Sequence, residues 1–294
     1  MDWFVDPERG RWLQERIPEL GEMVPTGMPA YGRILHPAYE SNDDGEERSV
    51  RWAELATRTG TTVDGDTQWW DISPDGGSGQ TKSDGWWLNP PQDGWIDPAL
   101  LRAFVPVLWS HTRTPEDITV GVWEGWGLTA VSTSLFFVGD AESDAGADVE
   151  VELDRLRSEA EDHQRRRLEA TSPRLLRMQE FDGTVWERAV AGDVSEFPYP
   201  RFDLPDRTYV LGATTLDDLA SPDWPYRSGL GWLPGDRDGI MPQLIWPADR
   251  SWCLSIEVDA PWTVVAGAPE LVAELLSLPG IEGHAIGDPY RSRA

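Results

Sequence analysis

The stretch that decides the fold is residues 243–286, QLIWPADRSWCLSIEVDAPWTVVAGAPELVAELLSLPGIEGHAI. Short apolar runs separated by Pro, Asp and Gly predict β-strands, and a longer run that begins at Pro269 predicts a helix. The predicted order is three strands, a helix and a last strand, at residues 243–246, 251–258, 262–266, 269–278 and 282–286. This order is typical of an α+β domain.

The rest of the chain repeats this mixture of elements. Alternating Ile118, Val120 and Val122 predict a strand at 118–123. Asp97 and Pro98 indicate a helix start, because Asp caps the first amides and Pro fits the first turn. Further strands are predicted at 30–35, 128–138 and 207–211, further helices at 9–17, 49–58 (capped by Ser49) and 216–219, and a loop-rich segment at 61–94. We therefore predict an α+β fold, mainly an antiparallel sheet with short packing helices and many loops.

An acidic segment interrupts this pattern. Residues 140–162 hold ten acids and two arginines, and residues 149–170 include no Gly or Pro. The i,i+4 pairs Glu161–Arg165 and Asp162–Arg166 favour a helix, so we predict an exposed acidic helix at about 149–170. The predicted organisation is one domain, 1–294, with a helical insertion at 140–173. The alternative is two subdomains, 1–139 and 174–294.

The composition restricts the class of partner. Seventeen Trp among 294 residues indicate an aromatic interior or aromatic ligand contacts, since indoles are costly to expose to water. With 52 acidic and 25 basic residues the net charge is −27, which opposes nucleic-acid binding. The predicted partner is another protein with a basic surface, and the oligomeric state is left open.

The sequence lacks signatures of membrane, metal and cofactor binding. No apolar run approaches the roughly 18 residues of a membrane span, and the first residues lack a secretory pattern, so we expect a cytoplasmic protein without membrane association. The four histidines are dispersed, and Cys253 is the single cysteine, which disfavours a metal site or a disulfide. No nucleophile elbow, P-loop or dinucleotide motif is present, and we expect no cofactor.

Two indoles flank a carboxylate at the end of the strand predicted at 118–123. In a binding interpretation, Trp123 and Trp126 stack on a ligand while Glu124 accepts hydrogen bonds. In a structural interpretation, the indoles fill the core and Glu124 binds an arginine or backbone amides. The structural interpretation is favoured, because buried aromatic residues outnumber exposed functional ones.

A second motif, Trp246-Pro-Ala-Asp249-Arg250-Ser-Trp252, links two predicted strands. Asp249 either contacts a ligand or stabilises the turn by accepting a hydrogen bond from the backbone amide two residues on. Arg250 is expected to stack on Trp246 or Trp252, or to pair with Glu124. The structural role is again favoured.

Glu257 and Asp259 lie on one side of the next predicted strand. Two carboxylates at i,i+2 are candidates for acid–base work or for cation binding, although an exposed strand face looks the same. We thus name no catalytic or metal-binding residue. The candidate binding residues are Trp123, Glu124, Trp126, Trp246, Asp249, Arg250, Trp252, Glu257 and Asp259.

Parts of the chain resemble a family of actinobacterial proteins that has no established activity. The resemblance rests on the turn at 111–115 (HTRTP), on 122–127 (VWEGWG) and on 246–253 (WPADRSWC), with the unit at 264–276 in addition. It covers mainly residues 98–139 and 205–286. It implies a shared fold and supplies no catalytic residues.

The leading hypothesis for function is a non-catalytic, acidic, Trp-rich protein-binding module, such as an immunity-type inhibitor of a basic partner. The first alternative is a carboxylate-based glycan-binding or glycan-hydrolysing protein, since sugars stack on indoles and glycosidases need two carboxyls at a defined separation. The second alternative is an accessory protein whose tryptophans all lie in the core.

Overall fold

The computed structural model describes residues 1–74, 76, 81–125, 200–235 and 239–291, and between 125 and 200 it describes 155, 158–159, 162–163, 165–172 and 175. Contacts divide the chain into two units. The larger unit comprises Asp2–Trp123, Tyr199–Pro222 and Met241–Ala294. The smaller unit comprises Glu124–Pro198 and Asp223–Ile240, with Met1. The domain organisation drawn from the sequence stays a prediction.

Within the described residues, the larger unit has thirteen strands. They are β1 Asp2–Trp3, β2 Ala30–Leu35, β3 Ala38–Asn42, β4 Glu47–Val50, β5 Thr81–Ser83, β6 Trp86–Asn89, β7 Ile118–Trp123, β8 Phe202–Leu204, β9 Arg207–Thr214, β10 Leu244–Pro247, β11 Cys253–Ser255, β12 Trp262–Gly267 and β13 Glu282–Ile286. A nine-stranded sheet has the order β1-β9-β7-β10-β11-β12-β2-β13, with β8 also paired to β9, and a four-stranded sheet has the order β4-β3-β6-β5. All these pairings are antiparallel, so the predicted α+β fold is confirmed.

Short helices accompany the sheets. In the larger unit they are a 3-10 helix at Pro7–Gly10, α1 Arg11–Gln14, α2 Trp52–Thr59, α3 Trp69–Ile72, α4 Pro98–Ser110, α5 Leu216–Ala220 and α7 Pro269–Leu276. The smaller unit contains α6 Trp224–Arg227 and a bridge between Thr171 and Leu230. Its described residues 155, 158–159, 162–163 and 165–170 are helical, within the predicted acidic helix. Asp162 pairs there with Arg165, at 2.6 Å.

The strand–helix–strand segment predicted at residues 262–286 packs around β2. β12 and β13 pair with opposite sides of β2, and α7 connects them. α7 begins at Pro269 and buries Leu271, Val272 and Leu275. A Cβ on Gly32 in β2 would lie only 2.8 Å from Val272 Cγ1, so glycine allows the helix to lie directly on this strand.

Tryptophans form much of the core of the larger unit. Trp12 and Trp246 belong to one buried cluster. In a second cluster, Trp52 makes edge-to-face contacts with Trp69 and Trp262, at centroid distances of 5.5 and 6.4 Å. Such contacts add to the stabilisation that comes from apolar burial.

Several predicted elements are confirmed. The strands at Ala30–Leu35, Ile118–Trp123 and Glu282–Ile286 have the predicted bounds. Asp97 caps α4, accepting a hydrogen bond from Ala99 N at 2.7 Å. The strand predicted at 128–138 lies outside the described residues.

Other boundaries are wrong, and tertiary contacts explain them. Ser49 does not cap a helix, because it pairs with Tyr39 in the β3–β4 ladder. The carboxylate of Glu282 instead accepts hydrogen bonds from the first amides of α2, those of Trp52 at 2.7 Å and Ala53 at 2.6 Å. The strand predicted at 251–258 shortens to Cys253–Ser255, and the helix predicted at 9–17 divides into a 3-10 turn and α1. The segment at 61–94 contains α3, β5 and β6.

Candidate functional site

Three of the predicted binding residues meet around Arg207. Its Nη2 donates to Glu257 Oε1 and to Asp259 Oδ2, each at 2.7 Å, and its Nε donates to the same Glu257 oxygen at 3.1 Å. The guanidinium carbon lies 5.1 Å from the centroid of the Trp123 ring. One arginine thus joins two carboxylates and an indole.

Strand register explains how these residues come together. Trp123, the last residue of β7, is paired with Tyr209 on β9. Arg207 precedes Tyr209 by two residues and therefore lies on the same face of the sheet. Glu257 and Asp259 belong to the turn after β11, which is closed by a hydrogen bond from Ala260 N to Glu257 O at 3.0 Å.

Burial governs the electrostatics of this cluster. It raises the pKa of Glu257, while the hydrogen bond and the positive charge of Arg207 partly offset the increase. Burial also raises the pKa of Tyr209, and the negative charge of Glu257 adds to it. The pKa of Asp93 is raised by burial and then by the charge of Asp259. Burial and neighbouring carboxylates therefore disfavour the charged forms of Glu257, Tyr209 and Asp93.

Two buried polar atoms of the cluster have no hydrogen-bond partner among the described residues, Glu257 Oε2 and Tyr209 Oη. A carboxylate oxygen accepts hydrogen bonds and a phenol hydroxyl both donates and accepts them, so the described residues leave this hydrogen-bonding capacity unused. By contrast, the side chain of Asp259 is 80% exposed. The cluster therefore connects a buried carboxylate to an acidic group at the surface.

This geometry has a consequence for carboxylate chemistry. Glycosidases need space for a sugar between their two carboxyl groups. Here one guanidinium nitrogen binds both carboxylates, and the same guanidinium lies against Trp123. Arg207 therefore holds the two carboxylates together by hydrogen bonds and occupies the space next to the Trp123 ring.

Two other predicted residues are part of the core. Trp246 is 1% exposed and contacts Phe202, at a centroid distance of 6.2 Å. Trp252 is 0% exposed and donates from Nε1 to Leu108 O at 3.2 Å. Neither indole reaches the surface.

Asp249 and Arg250 have local structural roles. Asp249 accepts a hydrogen bond from Ser251 N at 3.1 Å, which confirms the predicted turn contact. It also accepts from Thr112 Oγ1 at 3.0 Å and from Arg113 N at 2.7 Å. Arg250 lies 6.0 Å from the Trp12 ring centroid and not over the two indoles of its own motif. Its φ of 58° fits the tight link between β10 and β11.

We predict that Asp249→Ala lowers the free energy of unfolding by about 2 kcal/mol, since several hydrogen bonds to a charged acceptor are lost. Burial alone would raise the pKa of Asp249, but the bonds from Arg113 and Ser251 outweigh burial and lower it. The native state thus favours the carboxylate, so its contribution is present at neutral pH and declines as the pH falls below about 4. Urea unfolding at several pH values measures this difference. Asp66→Ala, at an exposed position, is the control, and an equal loss in both variants would contradict the prediction.

The remaining two predicted residues are Glu124 and Trp126. Glu124 is 3% exposed and begins the smaller unit. Trp126 lies outside the described residues. Their binding role stays a prediction.

Sequence reasoning missed Arg207 and also a second cluster of the same kind. The guanidinium carbon of Arg33 lies 4.2 Å from the Trp262 ring centroid, and Arg33 Nη2 donates to Glu22 Oε1 at 3.3 Å. Trp262 Nε1 donates to the other oxygen of Glu22, at 2.9 Å. These partners are distant in sequence, so no local pattern identifies them.

Among the described residues, no three His, Cys, Asp or Glu side chains are grouped as a metal site, and no helix has the length and apolar character of a membrane span. No known family model, curated protein or solved structure matches the chain. The resemblance to an actinobacterial family stays a prediction.

Proposed function

We propose that this protein is a non-catalytic protein-binding module that recognises a partner with a basic surface. The observation that carries the proposal is the excess of 52 acidic over 25 basic residues. Even if every base paired with one acid inside the chain, a net charge of −27 would remain. Such a charge attracts a basic protein over long distances and accelerates association.

The ion pairs of the larger unit support this proposal. Several arginines bind carboxylates of the same unit, so their positive charge is used within the fold. These pairs are Arg9–Asp117, Arg33–Glu22, Arg48–Glu40, Arg58–Glu40 and Arg207–Glu257. The acids that outnumber the bases therefore have no cation of this chain to neutralise them.

Among the described residues of the larger unit, several exposed acids are grouped in the hairpin between β3 and β4. We call it the acidic hairpin and define it by its exposed residues Asp43, Asp44, Glu46 and Glu47. Beside it, the indoles of Trp86 and Trp87 each contact a cation, Arg48 at 4.4 Å and Lys82 at 4.6 Å. These two indoles are therefore engaged by cations of the chain itself, and Lys82 also pairs with Asp43, at 3.1 Å. The negative charge of the hairpin is the feature expected to attract lysines and arginines of a partner.

An immunity-type inhibitor of a basic enzyme is the class of protein that fits these features. Inhibitors of this kind need fast association and aromatic anchors, and no catalytic group. The alternative of a glycan-directed protein is favoured by one observation, the proximity of Glu257 and Asp259 to Trp123. The position of Arg207 between these groups opposes it.

The proposal predicts binding that depends strongly on salt. The test uses purified products of the genes adjacent to the gene for this protein. We expect one of them to bind, with an affinity that falls at least about tenfold between about 0.05 M and 0.5 M NaCl, because salt screens exposed charges. Titration calorimetry at each salt concentration measures this fall. An affinity indifferent to salt, or no binding among these products, would count against the proposal.

Charge-neutralising variants test the acidic hairpin separately. Neutralising Asp43, Asp44, Glu46 and Glu47 by amide substitutions is expected to slow association by about tenfold. The matched control neutralises four exposed, scattered acids, namely Glu19, Glu116, Asp217 and Glu270. If both quadruple variants slow association equally, the net charge matters but the hairpin does not.

A further inference from the structure

Trp70 is the most exposed large hydrophobic residue in the part of the chain that the structure describes. It is 60% exposed, whereas the next values are 42% for Tyr226 and 41% for Trp109. Tryptophan is enriched among the residues that contribute most to binding, because its ring offers a large and rigid contact area. Trp70 is not among the candidate binding residues considered above.

The fold holds Trp70 on a fixed support. Its neighbour in α3, Trp69, is 7% exposed and packs against Trp52 in the core, at a centroid distance of 5.5 Å. At the start of this helix Gln68 N donates to Asp71 Oδ2, at 2.8 Å. The Trp70 ring is therefore presented to a ligand without the entropic cost of ordering a loose segment.

The sequence around Trp70 carries negative charge only. Between Arg58 and Lys82 there are four aspartates and no Lys or Arg. Two of these aspartates, Asp66 and Asp71, are exposed and lie within four residues of Trp70. Neither forms an ion pair with any described residue. The charge beside this indole therefore suits a cation.

Other indoles of this chain show which contact such surroundings favour. Five tryptophans lie against a described Lys or Arg, at 4.2–6.0 Å from the ring centroid, and four of these cations also bind a carboxylate. The four sets of indole, cation and carboxylate are Trp262–Arg33–Glu22, Trp86–Arg48–Glu40, Trp87–Lys82–Asp43 and Trp123–Arg207–Glu257. At Trp70 the chain supplies the ring and nearby carboxylates, but no described Lys or Arg lies over the ring. The member of the set that the described residues do not supply is the cation.

We propose that the Trp70 ring and the flanking carboxylates of Asp66 and Asp71 bind a Lys or Arg side chain of a basic partner. The cation would lie over the indole face, and the carboxylates would neutralise its charge. The identity of the partner rests on the proposed function, which this inference deepens by naming a contact residue. The preference for a cationic side chain rests on the residues named here.

The first test uses a tetra-arginine amide peptide as the probe and a tetra-citrulline amide peptide as the uncharged control. NMR follows the indole N–H signal of Trp70, which is identified by its loss in Trp70→Phe. We expect the arginine peptide to shift this signal while the Trp109 signal stays in place, and the citrulline peptide to shift neither. An arginine peptide that leaves the Trp70 signal unmoved would overturn the site.

Substitution of the ring tests the aromatic contact. Trp70→Leu keeps an apolar side chain and removes the aromatic face. The dissociation constant of the arginine peptide, taken from the amide signals of residues 66–71, is expected to rise about threefold. Trp109→Leu is the control and is expected to leave it unchanged, and circular dichroism checks that both variants fold. Equal affinity of Trp70→Leu and the wild type would overturn the contact with the ring.

Substitution of the acids tests the role of charge. Asp66→Asn/Asp71→Asn is expected to raise the same dissociation constant about threefold. The control, Glu116→Gln/Asp217→Asn, removes the same number of charges at other exposed positions and is expected to have a smaller effect. Equal effects of the two double variants would show that the net charge acts alone, and would overturn the role of these two aspartates.

The basic gene product of the salt test separates this inference from the proposed function. Trp70→Leu is expected to weaken its binding at least about tenfold, and Trp109→Leu to leave it unchanged. Salt-dependent binding of that product with no effect of Trp70→Leu would overturn this inference and leave the proposed function standing. Binding of the arginine peptide at Trp70, with no basic partner among the gene products, would support the cation contact and count against the proposed function.

Discussion

Replacing Trp252 by alanine is expected to lower the free energy of unfolding by about 3–5 kcal/mol. The indole is 0% exposed and its Nε1 donates to Leu108 O, so the substitution leaves a large cavity and removes one of the two hydrogen bonds that this carbonyl accepts, while His111 N still donates to it at 3.2 Å. This loss is a large fraction of the stability of a typical domain, about 5–15 kcal/mol. Urea unfolding followed by circular dichroism measures it. If the alanine variant does not fold, Trp252→Phe, which removes less volume, is expected to fold with a smaller loss.

Trp70 offers the matched control, because 60% of this residue is exposed. Trp70→Ala is expected to change the free energy of unfolding by less than about 0.5 kcal/mol. Equal effects of the two alanine substitutions would contradict the assignment of Trp252 to the core. The motif at 246–252 would then regain its interpretation as a binding segment.

The sequence predicted elements best where apolar residue types alternate along the chain. The alternation of Ile118, Val120 and Val122 identifies β7 with its correct bounds, and all three side chains are 0% exposed. This alternation of residue types is a property of the strand itself and is visible without knowledge of its neighbours. In the structure Thr119 and Gly121 are buried too, so both faces of β7 are covered. The cap of α4 is equally local, since Asp97 binds an amide two residues away.

Prediction failed where a distant residue takes over a local role. Ser49 is a good capping residue by type, but β-pairing with Tyr39 holds it in a strand. The cap of α2 comes instead from Glu282, which lies 229 residues beyond Ala53. No local pattern contains this information, because it depends on how β13 is placed in the sheet.

The candidate site illustrates both cases. The residue types at the end of the strand predicted at 118–123 indicate Trp123, and those on one side of the strand predicted at 251–258 indicate Glu257 and Asp259. The structure brings all three into contact with Arg207. The residue that joins them, Arg207, has no distinguishing pattern in the sequence, and its contact with Glu257 spans 50 residues. The location of each tryptophan is likewise not predictable, because the sequence alone does not distinguish core indoles such as Trp246 from surface indoles such as Trp70.

The two arginine clusters are built from the same kinds of contact. In each, a guanidinium lies against an indole and binds a carboxylate that is largely removed from water: Arg33 with Trp262 and Glu22, and Arg207 with Trp123 and Glu257. An acidic chain that buries carboxylates must provide each with a cation, since an unpaired buried charge is costly. The arginines therefore allow the acidic composition to coexist with a packed fold.

Arg207→Met is accordingly expected to lower the free energy of unfolding by about 3–5 kcal/mol at neutral pH. The substitution preserves much of the apolar volume and leaves Glu257, whose side chain is 9% exposed, without its counter-charge. Chemical unfolding measures the loss. The double variant Arg207→Met/Glu257→Leu removes both charges and is expected to recover most of the stability. The reason is that the loss in the single variant comes from the buried Glu257 carboxylate, which has no counter-charge.

The pH dependence separates this explanation from a simple packing defect. Burial already raises the pKa of Glu257 in the folded protein, and removal of Arg207 takes away the opposing contribution and raises it further. A carboxyl with a raised native pKa binds its proton more tightly in the folded state, so folding gains stability as the pH falls and loses it as the pH rises through that pKa. Between about pH 8 and pH 5, Arg207→Met should therefore regain stability relative to the wild type, whereas the double variant should not. A loss that is constant over this range would show that Arg207 stabilises the fold by packing against Trp123 and not by neutralising Glu257.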